Sequence, residues 1–214
     1  MNIDSIYAKT DDALSLFKEN KVCLAPFYNI ADVICDFIKD NNITYSDLSK
    51  EGELSQHAVN VAILSGQLGM FYDVEDVPNL VLGSLLHDLG KLYINPSILN
   101  KNGKLSEVEK LVVAEHTTLG YKIVKHYTNN DTIADIILNH HTVFDNIPHN
   151  ADMSEIDTKD KYPLICGIAD ITDAILSYRP YKPPLSKEVV FTTLNKKGIT
   201  NFQNELNILL KDIA

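Results

Sequence analysis

Histidine and aspartate stand together at the end of one strongly apolar segment of this sequence. His87 and Asp88 directly follow the apolar run at residues 80–86. A carboxylate at the end of a buried helix is costly to desolvate unless it is ion-paired or bound to a metal. The pair therefore indicates metal-ion chemistry. A helix that simply ends in polar residues is the alternative interpretation.

A histidine doublet gives the second signal. His140 and His141 end a helical pattern at residues 133–138. Neighbouring residues on a helix point about 100° apart, so the two rings could serve two metals, or one metal and one phosphate group. A core histidine beside an exposed histidine is the alternative.

Two aspartates interrupt a second apolar helix. Asp170 follows the apolar run at residues 164–169, and Asp173 lies three residues further on the same face. An acidic pair on such a helix is difficult to explain as solvated surface. It suits metal ligation, with buried salt bridging as the competing account.

Single histidines complete the set. His57 continues the apolar face of its helix, and Glu53 lies four residues earlier, a spacing that lets both side chains ligate one metal. A hydrogen-bonded core histidine is the alternative for His57. His116 follows a helix opened by a Ser106 capping box. Nitrogen and carboxylate ligands together suit iron, manganese or zinc and do not suit calcium.

The elements that must position these residues are helices. Apolar periodicity predicts helices over residues 11–20, 26–40, 53–69, 77–88 and 162–178, with Gly90 as a C-cap. Residues 146–160 read as a polar loop, and no alternating strand pattern occurs. We therefore expect an all-α bundle, with an N-terminal helical segment at residues 1–47 and the main domain at residues 48–214. His126 and His149 have no pattern partner and are predicted at the surface.

Charge and cysteine content limit the function classes. The net charge of −10 argues against sequence-independent binding to DNA or RNA polymers. Bound metals would still permit a small anionic substrate, because they reverse the local field. Three cysteines without a CxxC pair, a polar N-terminus and no apolar run of about 20 residues predict a cytoplasmic protein without membrane contact.

The ordered motifs resemble those of the HD superfamily of metal phosphohydrolases. They also resemble the HD-GYP branch, whose known members are cyclic di-GMP phosphodiesterases. The matching text is His57, His87-Asp88-Leu89-Gly90-Lys91, His116-Thr117-Thr118-Leu119-Gly120, His140-His141 and Asp170-Ile171-Thr172-Asp173-Ala174. The segment at residues 96–105 and the basic segment at residues 179–182 match as well. The resemblance runs from about residue 48 to the C-terminus and implies an HD-domain helical bundle.

One departure concerns the branch signature. After the paired histidines, the family usually carries an acidic residue and then Gly-Tyr-Pro in a glycine-rich loop. Residues 142–148 read TVFDNIP here, so only Asp145 and Pro148 remain of that pattern. The departure leaves the substrate and its turnover open, but it removes no metal ligand.

The resemblance implies two or three divalent transition metals, iron or manganese, with zinc or nickel as alternatives. The expected ligands are Glu53, His57, His87, Asp88, His116, His140, His141 and Asp170. Asp88 would be shared between two metals, and Glu53 would belong to a third. A metal-bridging hydroxide would attack the phosphodiester phosphorus. Lys91, Arg179, Lys182 and Asp173 are expected to contact the substrate, with Lys91 also neutralising charge on the phosphoryl oxygens.

Three functions follow as hypotheses. The first is a phosphodiesterase for a cyclic dinucleotide, cyclic di-GMP above all, or for another nucleotide. The second is a catalytically weak or inactive domain that senses the nucleotide or serves as a scaffold. The third is an oxygen-activating di-iron enzyme on the same fold. The N-terminal helices could also support a homodimer.

Overall fold

Helices and short turns make up the chain. The computed structural model describes residues 2–21, 23–49, 51, 53–178 and 183–213, and none of these forms a β-strand. The α-helices are α1 (Ile3–Lys18), α2 (Ala25–Asp40), α3 (Leu54–Phe71), α4 (Val77–Leu86), α5 (Pro96–Leu99), α6 (Glu107–Ala114), α7 (His116–Tyr127), α8 (Asp131–Asn139), α9 (Thr158–Leu176), α10 (Lys187–Lys196) and α11 (Gln203–Leu209). The all-α fold expected from the sequence is confirmed.

The centre of the bundle consists of α3, α4 and α9. Helix α3 packs against both of the others, and α8 lies against α4 and α9. Small residues let these helices approach closely. A Cβ atom added to Gly66 on α3 would lie 2.6 Å from Ile38 Cδ1, and one added to Gly83 on α4 would lie 2.5 Å from Ile136 Cδ1. Among the metal-ligand candidates, His57 and Asp170 lie within these central helices and His87 and Asp88 directly follow α4, so a close-packed core holds these four.

The N-terminal helices share this core. Helix α1 packs against α2 and α3, and α2 packs against α3 and α4. Their buried side chains, including Ile6 and Phe27, belong to the same apolar cluster as the central helices. Helix α1 starts at Ile3, well before the predicted start at residue 11, because the Asn2 side chain caps it through the Ser5 amide. The division at residue 47 stays a prediction.

The turn after α4 differs from the prediction. The α-helix ends at Leu86, and a 3-10 turn spans Leu89–Tyr93. Gly90 is not the C-cap that was expected. It lies against the backbone of α7, where an added Cβ would come within 2.0 Å of the His116 carbonyl oxygen. Glycine is therefore needed here because two backbones approach each other closely.

Helix α6 lies outside the core. The predicted capping box is present, with Ser106 Oγ accepting from the Glu109 amide and the Glu109 carboxylate accepting from the Ser106 amide. No described residue of this helix is buried. Val108 and Leu111 are 70% and 69% exposed. Helix α6 therefore has little packing to hold it in place.

The segment between α8 and α9 is better ordered than its polar composition suggests. Ile147, Met153 and Ile156 are buried in the core. The Asn150 amide donates to the Gly198 carbonyl at 2.8 Å, and its own carbonyl accepts from the Asn201 side chain. The predicted loop is thus tied to the C-terminal part of the chain. Among the described residues, no helix is both long and apolar enough for a bilayer span.

Candidate metal centre

Three histidines at helix boundaries share one local geometry. His87 follows the last residue of α4, His140 follows the last residue of α8, and His116 lies two residues after the end of α6. In each, the ring Nδ1 lies within hydrogen-bond distance of the carbonyl three residues earlier. The acceptors are Ser84 (2.7 Å), Val113 (2.7 Å) and Ile137 (3.0 Å).

This geometry follows from how helices end. The last four carbonyls of a helix have no partner within it, so a nearby imidazole can donate to one of them. Donation from Nδ1 fixes the tautomer and leaves a lone pair on Nε2. Each of these helix ends therefore presents a preoriented nitrogen ligand.

His57 is supported differently because it lies inside α3. Its Nδ1 donates to Asp173 Oδ2 at 2.6 Å. The other Asp173 oxygen accepts from the Tyr45 hydroxyl and the Asn60 amide, both at 2.7 Å, and from the Ser177 hydroxyl at 3.0 Å. These bonds and the charge of His57 lower the pKa of Asp173 even though burial opposes ionisation.

The position of Asp173 corrects one expectation. Its side chain is fully buried behind the His57 ring, so it does not reach the substrate as the sequence suggested. A carboxylate behind a metal-binding imidazole is a common arrangement that orients the ring and strengthens its remaining nitrogen as a ligand. The hydrogen bond to Nδ1 places Asp173 where it can orient the His57 ring.

Asp88 lies at the middle of the cluster. Its Oδ2 is 3.5 Å from both His57 Nε2 and His87 Nε2, and its Oδ1 is 3.3 Å from His116 Nε2. Lys91 Nζ donates to Oδ2 at 2.6 Å. The Asp88 carboxylate therefore faces His57 and His87 with one oxygen and His116 with the other, so it is placed to be shared by two cations.

Asp170 closes the cluster from α9. Its Oδ1 is 3.2 Å from His57 Nε2, and its Oδ2 is 3.7 Å from His141 Nδ1. The His141 side chain is 47% exposed, whereas His57, His87, His116 and His140 are buried. Solvent and substrate therefore have access to the cluster beside His141.

The ligand atoms form two adjacent positions for a cation. We call the group of His57, His87 and Asp88 the first position, and the group of His116, His140 and His141 the second position. Within each group the ligand atoms lie within 4.8 Å of one another. A third such group, made of His87, His140 and Asp170, includes ligands from both and shows that the two positions adjoin.

The donor atoms fit divalent cations. Four buried atoms of the cluster have no hydrogen-bond partner among the described residues, namely His87 Nε2, His116 Nε2, His140 Nε2 and Asp88 Oδ1. Each such atom costs about 1–3 kcal/mol when nothing satisfies it. Since His116 Nε2 and Asp88 Oδ1 face each other as two acceptors, a cation between them would relieve both.

The pKa values of the histidines also favour cation binding. Burial lowers the pKa of His87 to about 4 and that of His140 well below its ordinary value, so both rings are neutral ligands at pH 7. Burial also disfavours a charged His57, but its hydrogen bonds to Asp170 and Asp173 prevail and raise its pKa to about 9. A cation at the first position would replace the Nε2 proton of His57.

The two carboxylates remain ionised. Burial alone would raise the pKa of Asp88, but Lys91 and the surrounding imidazoles hold it well below its ordinary value. Burial likewise opposes ionisation of Asp170, and its hydrogen bond with His57 outweighs that effect and lowers the pKa. Two negative charges in a nearly closed site are a strong attraction for cations.

A cleft of about 770 Å³ opens from the cluster toward α5 and α6. His57, Asp88 and Lys91 lie at its inner end. Its outer wall carries three lysines and one glutamate, Glu107, although the chain as a whole has a charge of −10. The wall lysines are Lys101, Lys104 and Lys110. Sequence reasoning did not single them out as site residues, and the only signal was three lysines within residues 101–110 around a glycine.

The wall lysines differ in their pairing. Lys101 contacts both carboxylate oxygens of Glu109, at 2.8 and 2.7 Å, and Lys110 contacts Glu107 at 2.8 Å. No ion-pair partner of Lys104 occurs in the part of the chain that the structure describes. Lys104 is therefore the wall lysine whose charge is least neutralised.

Several expected residues lie outside this cluster. Glu53 is exposed at the N-cap of α3 and belongs to none of the three ligand groups, so its role with a third metal stays a prediction. Arg179 and Lys182 fall outside the described residues. His126 and His149 are exposed, as predicted.

The segment that replaces the glycine-rich signature is fixed to the core. Val143 and Phe144 form part of a 3-10 turn, and both are buried. The Phe144 ring packs on Gly167 of α9, where an added Cβ would lie 2.8 Å from the ring. Lys197 lies over the same ring at 4.6 Å. An apolar contact thus holds the chain immediately after the histidine doublet.

Comparisons with known proteins agree with this geometry. The family model described as HD domain matches residues 54–175. The chain is 29% identical over 181 residues to 3'3'-cGAMP-specific phosphodiesterase 1 of Vibrio cholerae, covering 83% of the chain and 39% of that protein. It is 31% identical over 147 residues to a cyclic di-GMP phosphodiesterase of Thermotoga maritima, covering 66% and 39%. The chain thus spans about two fifths of the length of these relatives.

Solved structures with the same fold include two proteins of low sequence identity. One is an HDG"Y"P protein from Bdellovibrio bacteriovorus, with a TM-score of 0.65 at 19% identity, covering 97% of this chain and 69% of that chain. The other is the HD domain of the Listeria monocytogenes phosphodiesterase PgpH in complex with cyclic-di-AMP, with a TM-score of 0.52 at 20% identity, covering 76% and 88%. At these identities the similarity shows the fold alone.

Proposed function

The chain belongs to the HD domain family, and on that premise we propose that it hydrolyses a phosphodiester bond in a small cyclic dinucleotide with the help of two divalent cations. One observation carries the proposal. Three buried imidazole nitrogens and one oxygen of Asp88 converge without a hydrogen-bond partner among the described residues. Bound cations would satisfy these acceptors, and a two-cation site beside an open cleft suits phosphodiester hydrolysis.

The residues that would hold the cations follow from the two positions. His57, His87 and Asp170 would hold one cation, and His116, His140 and His141 the other, with Asp88 shared. When bound, two such cations lower the pKa of a water molecule and clamp the attacking and leaving oxygens. Nitrogen and carboxylate ligands together suit iron or manganese, and also zinc or nickel.

The chain's own residues bind and orient the substrate. Lys91 reaches the edge of the cluster and is placed to neutralise charge on the phosphoryl oxygens, since its ammonium already contacts Asp88. The basic outer wall of the cleft would hold the part of the substrate that does not react. Burial of His57, His87 and His140 keeps bulk water away from the reacting phosphate.

Cyclic di-GMP is the substrate we propose first. The names of the relatives supply the candidates, namely cyclic di-GMP and 3'3'-cGAMP. The cleft volume of about 770 Å³ falls within the range of small-molecule sites. Cytoplasmic location, homodimerisation through the N-terminal helices and contact of Arg179 or Lys182 with the substrate stay predictions.

Reconstitution tests the proposal. The chain is stripped with a chelator, reloaded anaerobically with Fe²⁺ or Mn²⁺, and supplied with cyclic di-GMP, 3'3'-cGAMP, cyclic-di-AMP or bis(p-nitrophenyl) phosphate. We expect two metals per chain and cleavage of at least one cyclic dinucleotide to its linear product. A chain that holds two metals and cleaves none of these compounds would contradict the proposal.

A nucleotide sensor is the second candidate, favoured by the segment after the histidine doublet. Val143 and Phe144 fix that segment to the core in place of a glycine-rich loop. A sensor would bind a cyclic dinucleotide tightly and release it unchanged. Calorimetric binding measured beside turnover separates the two functions.

A further inference from the structure

The hydrogen bonds behind His57 continue past Asp173 to the N-terminal helix. Asn60 on α3 donates to Asp173 Oδ1, and its own carbonyl oxygen accepts from the Tyr7 hydroxyl on α1 at 2.7 Å. Tyr7, Asn60 and Asp173 are all buried. One chain of buried hydrogen bonds thus joins α1 to a ligand of the first position.

The same chain holds the connector before α3. The Ser49 amide donates to the Tyr7 hydroxyl at 2.8 Å, and the Ser49 carbonyl accepts from the Asn60 amide at 2.7 Å. Both amide hydrogens of Asn60 and its carbonyl oxygen are therefore engaged. The Asn60 side chain has one orientation in which all these bonds form, and Tyr7 satisfies its carbonyl oxygen in that orientation.

We infer that α1 is part of the support of the first metal position, with Tyr7 and Asn60 acting as positioning residues through Asp173 and His57. The inference rests on the two-cation centre of the proposed function. Without the Tyr7 hydroxyl, the buried carbonyl oxygen of Asn60 loses its donor, and Asn60 then holds the Asp173 carboxylate less firmly. The His57 ring would be less firmly held, and a cation would bind less tightly at the first position.

The second position has no such connection among the described residues. The Nδ1 atoms of His116 and His140 bond to backbone carbonyls of the preceding turn. Within the described part of the chain, no hydrogen bond joins Tyr7 or Asn60 to either ring. The effect of changing Tyr7 should therefore be confined to one of the two cations, which separates positioning from general destabilisation.

The test measures Mn²⁺ affinity at each position without substrate, by counting free Mn²⁺ with electron paramagnetic resonance. His116→Gln leaves the first position as the tight site, and His57→Gln leaves the second. Adding Tyr7→Phe to the His116→Gln variant should weaken Mn²⁺ binding at the first position by about three- to tenfold. This is below the tenfold to hundredfold typical of a direct outer-shell partner. Adding Tyr7→Phe to the His57→Gln variant should leave the Mn²⁺ affinity of the second position unchanged.

Tyr162→Phe is the matched control. Tyr162 is also a buried tyrosine, and its hydroxyl accepts a hydrogen bond from the Asp76 backbone amide at 2.9 Å. Its loss should lower the melting temperature comparably and leave both Mn²⁺ affinities unchanged. If Tyr7→Phe does not fold, Asn60→Ser breaks the same link from the other side and should give the same selective loss.

The outcomes separate the two claims. Equal weakening of both positions by Tyr7→Phe, or no weakening of the first, overturns the role of α1 while the two-cation centre stands. Absence of Mn²⁺ binding to the unmodified chain overturns the centre and this role together. Binding without turnover overturns only the proposed hydrolysis.

Discussion

The two metal positions adjoin, but the protein supports them in different ways. At the first, His87 donates to the Ser84 carbonyl, but His57 depends on side chains that come from distant parts of the sequence, with Asp173 holding His57 and Asn60 holding Asp173. The second depends on the backbone, since His116 and His140 donate to carbonyls three residues earlier. Local support is built into a helix end, whereas side-chain support requires the whole bundle to be assembled.

Asp88→Asn removes what the two positions share. The carboxylate faces nitrogen ligands of both, so we expect both metals to be lost and turnover to fall by more than about a hundredfold, beyond the usual cost of an outer-shell change. Elemental analysis of the purified chain and a turnover assay measure these effects. Asp11→Asn, on the exposed face of α1, is the control. If one metal stayed fully bound, Asp88 would belong to one position only.

Gly90→Ala acts on the support of the second position. The added methyl group would meet the backbone of His116 and Gly120, which cannot move aside as a side-chain tip can. We expect a loss of about 1–3 kcal/mol in the free energy of unfolding and weaker binding at the second position. Denaturant titration and Mn²⁺ counting measure the two effects.

The control for Gly90→Ala is Gly66→Ala, whose methyl group would meet only side-chain atoms of Ile38 and Val81. It should destabilise the fold without selective loss of metal. Equal loss of metal from both glycine variants would mean that stability alone decides binding, and the comparison between the two supports would then fail.

Asp173→Asn acts on the support of the first position. The amide can still accept from Tyr45 and Asn60, but its NH₂ group then faces His57 Nδ1. The ring must take the other tautomer, which places a proton on Nε2 and removes its lone pair from the metal. We expect metal affinity at the first position to fall by about ten- to hundredfold, with the second unchanged. Unchanged affinity at the first position would show that the carboxylate is not needed for orientation.

Lys104→Ala changes the cleft and leaves both positions intact. Lys104 lines the outer wall and has an exposed, unneutralised charge among the described residues. We expect KM for the cyclic dinucleotide to rise by about two- to fivefold with kcat unchanged, as for loss of an exposed charge contact. Steady-state kinetics measure this, with Lys196→Ala on the exposed face of α10 as control. A fall in kcat instead would place Lys104 near the reacting phosphate.

The support of two helix-end histidines, one at each position, could be read from the sequence. A histidine just after an apolar run, as at His87 and His140, marks a helix end where an imidazole can meet an unpaired carbonyl. The support of His57 could not be read, because Tyr45 and Asp173 lie far apart in the chain and look like ordinary polar residues. Asp173 was therefore expected at the substrate.

Gly90 shows a second limit of sequence reasoning. A glycine after an apolar helix suits a C-cap, and it equally suits a close approach between two backbones. Only the position of α7 decides between them. The lysines of the cleft wall were missed for the same reason, since their effect depends on where α5 and α6 lie relative to the cluster.

Helix α6 gives the cleft an unequal pair of walls. The inner wall belongs to the close-packed bundle, whereas α6 has no buried residue and turns Val108 and Leu111 to solvent. Local opening of such a helix requires little free energy compared with unfolding of the bundle. On the proposed function, the outer wall would adjust to nucleotides with different bases while the metal-ligand candidates keep their places, and discrimination among bases would be left to contacts made outside that wall.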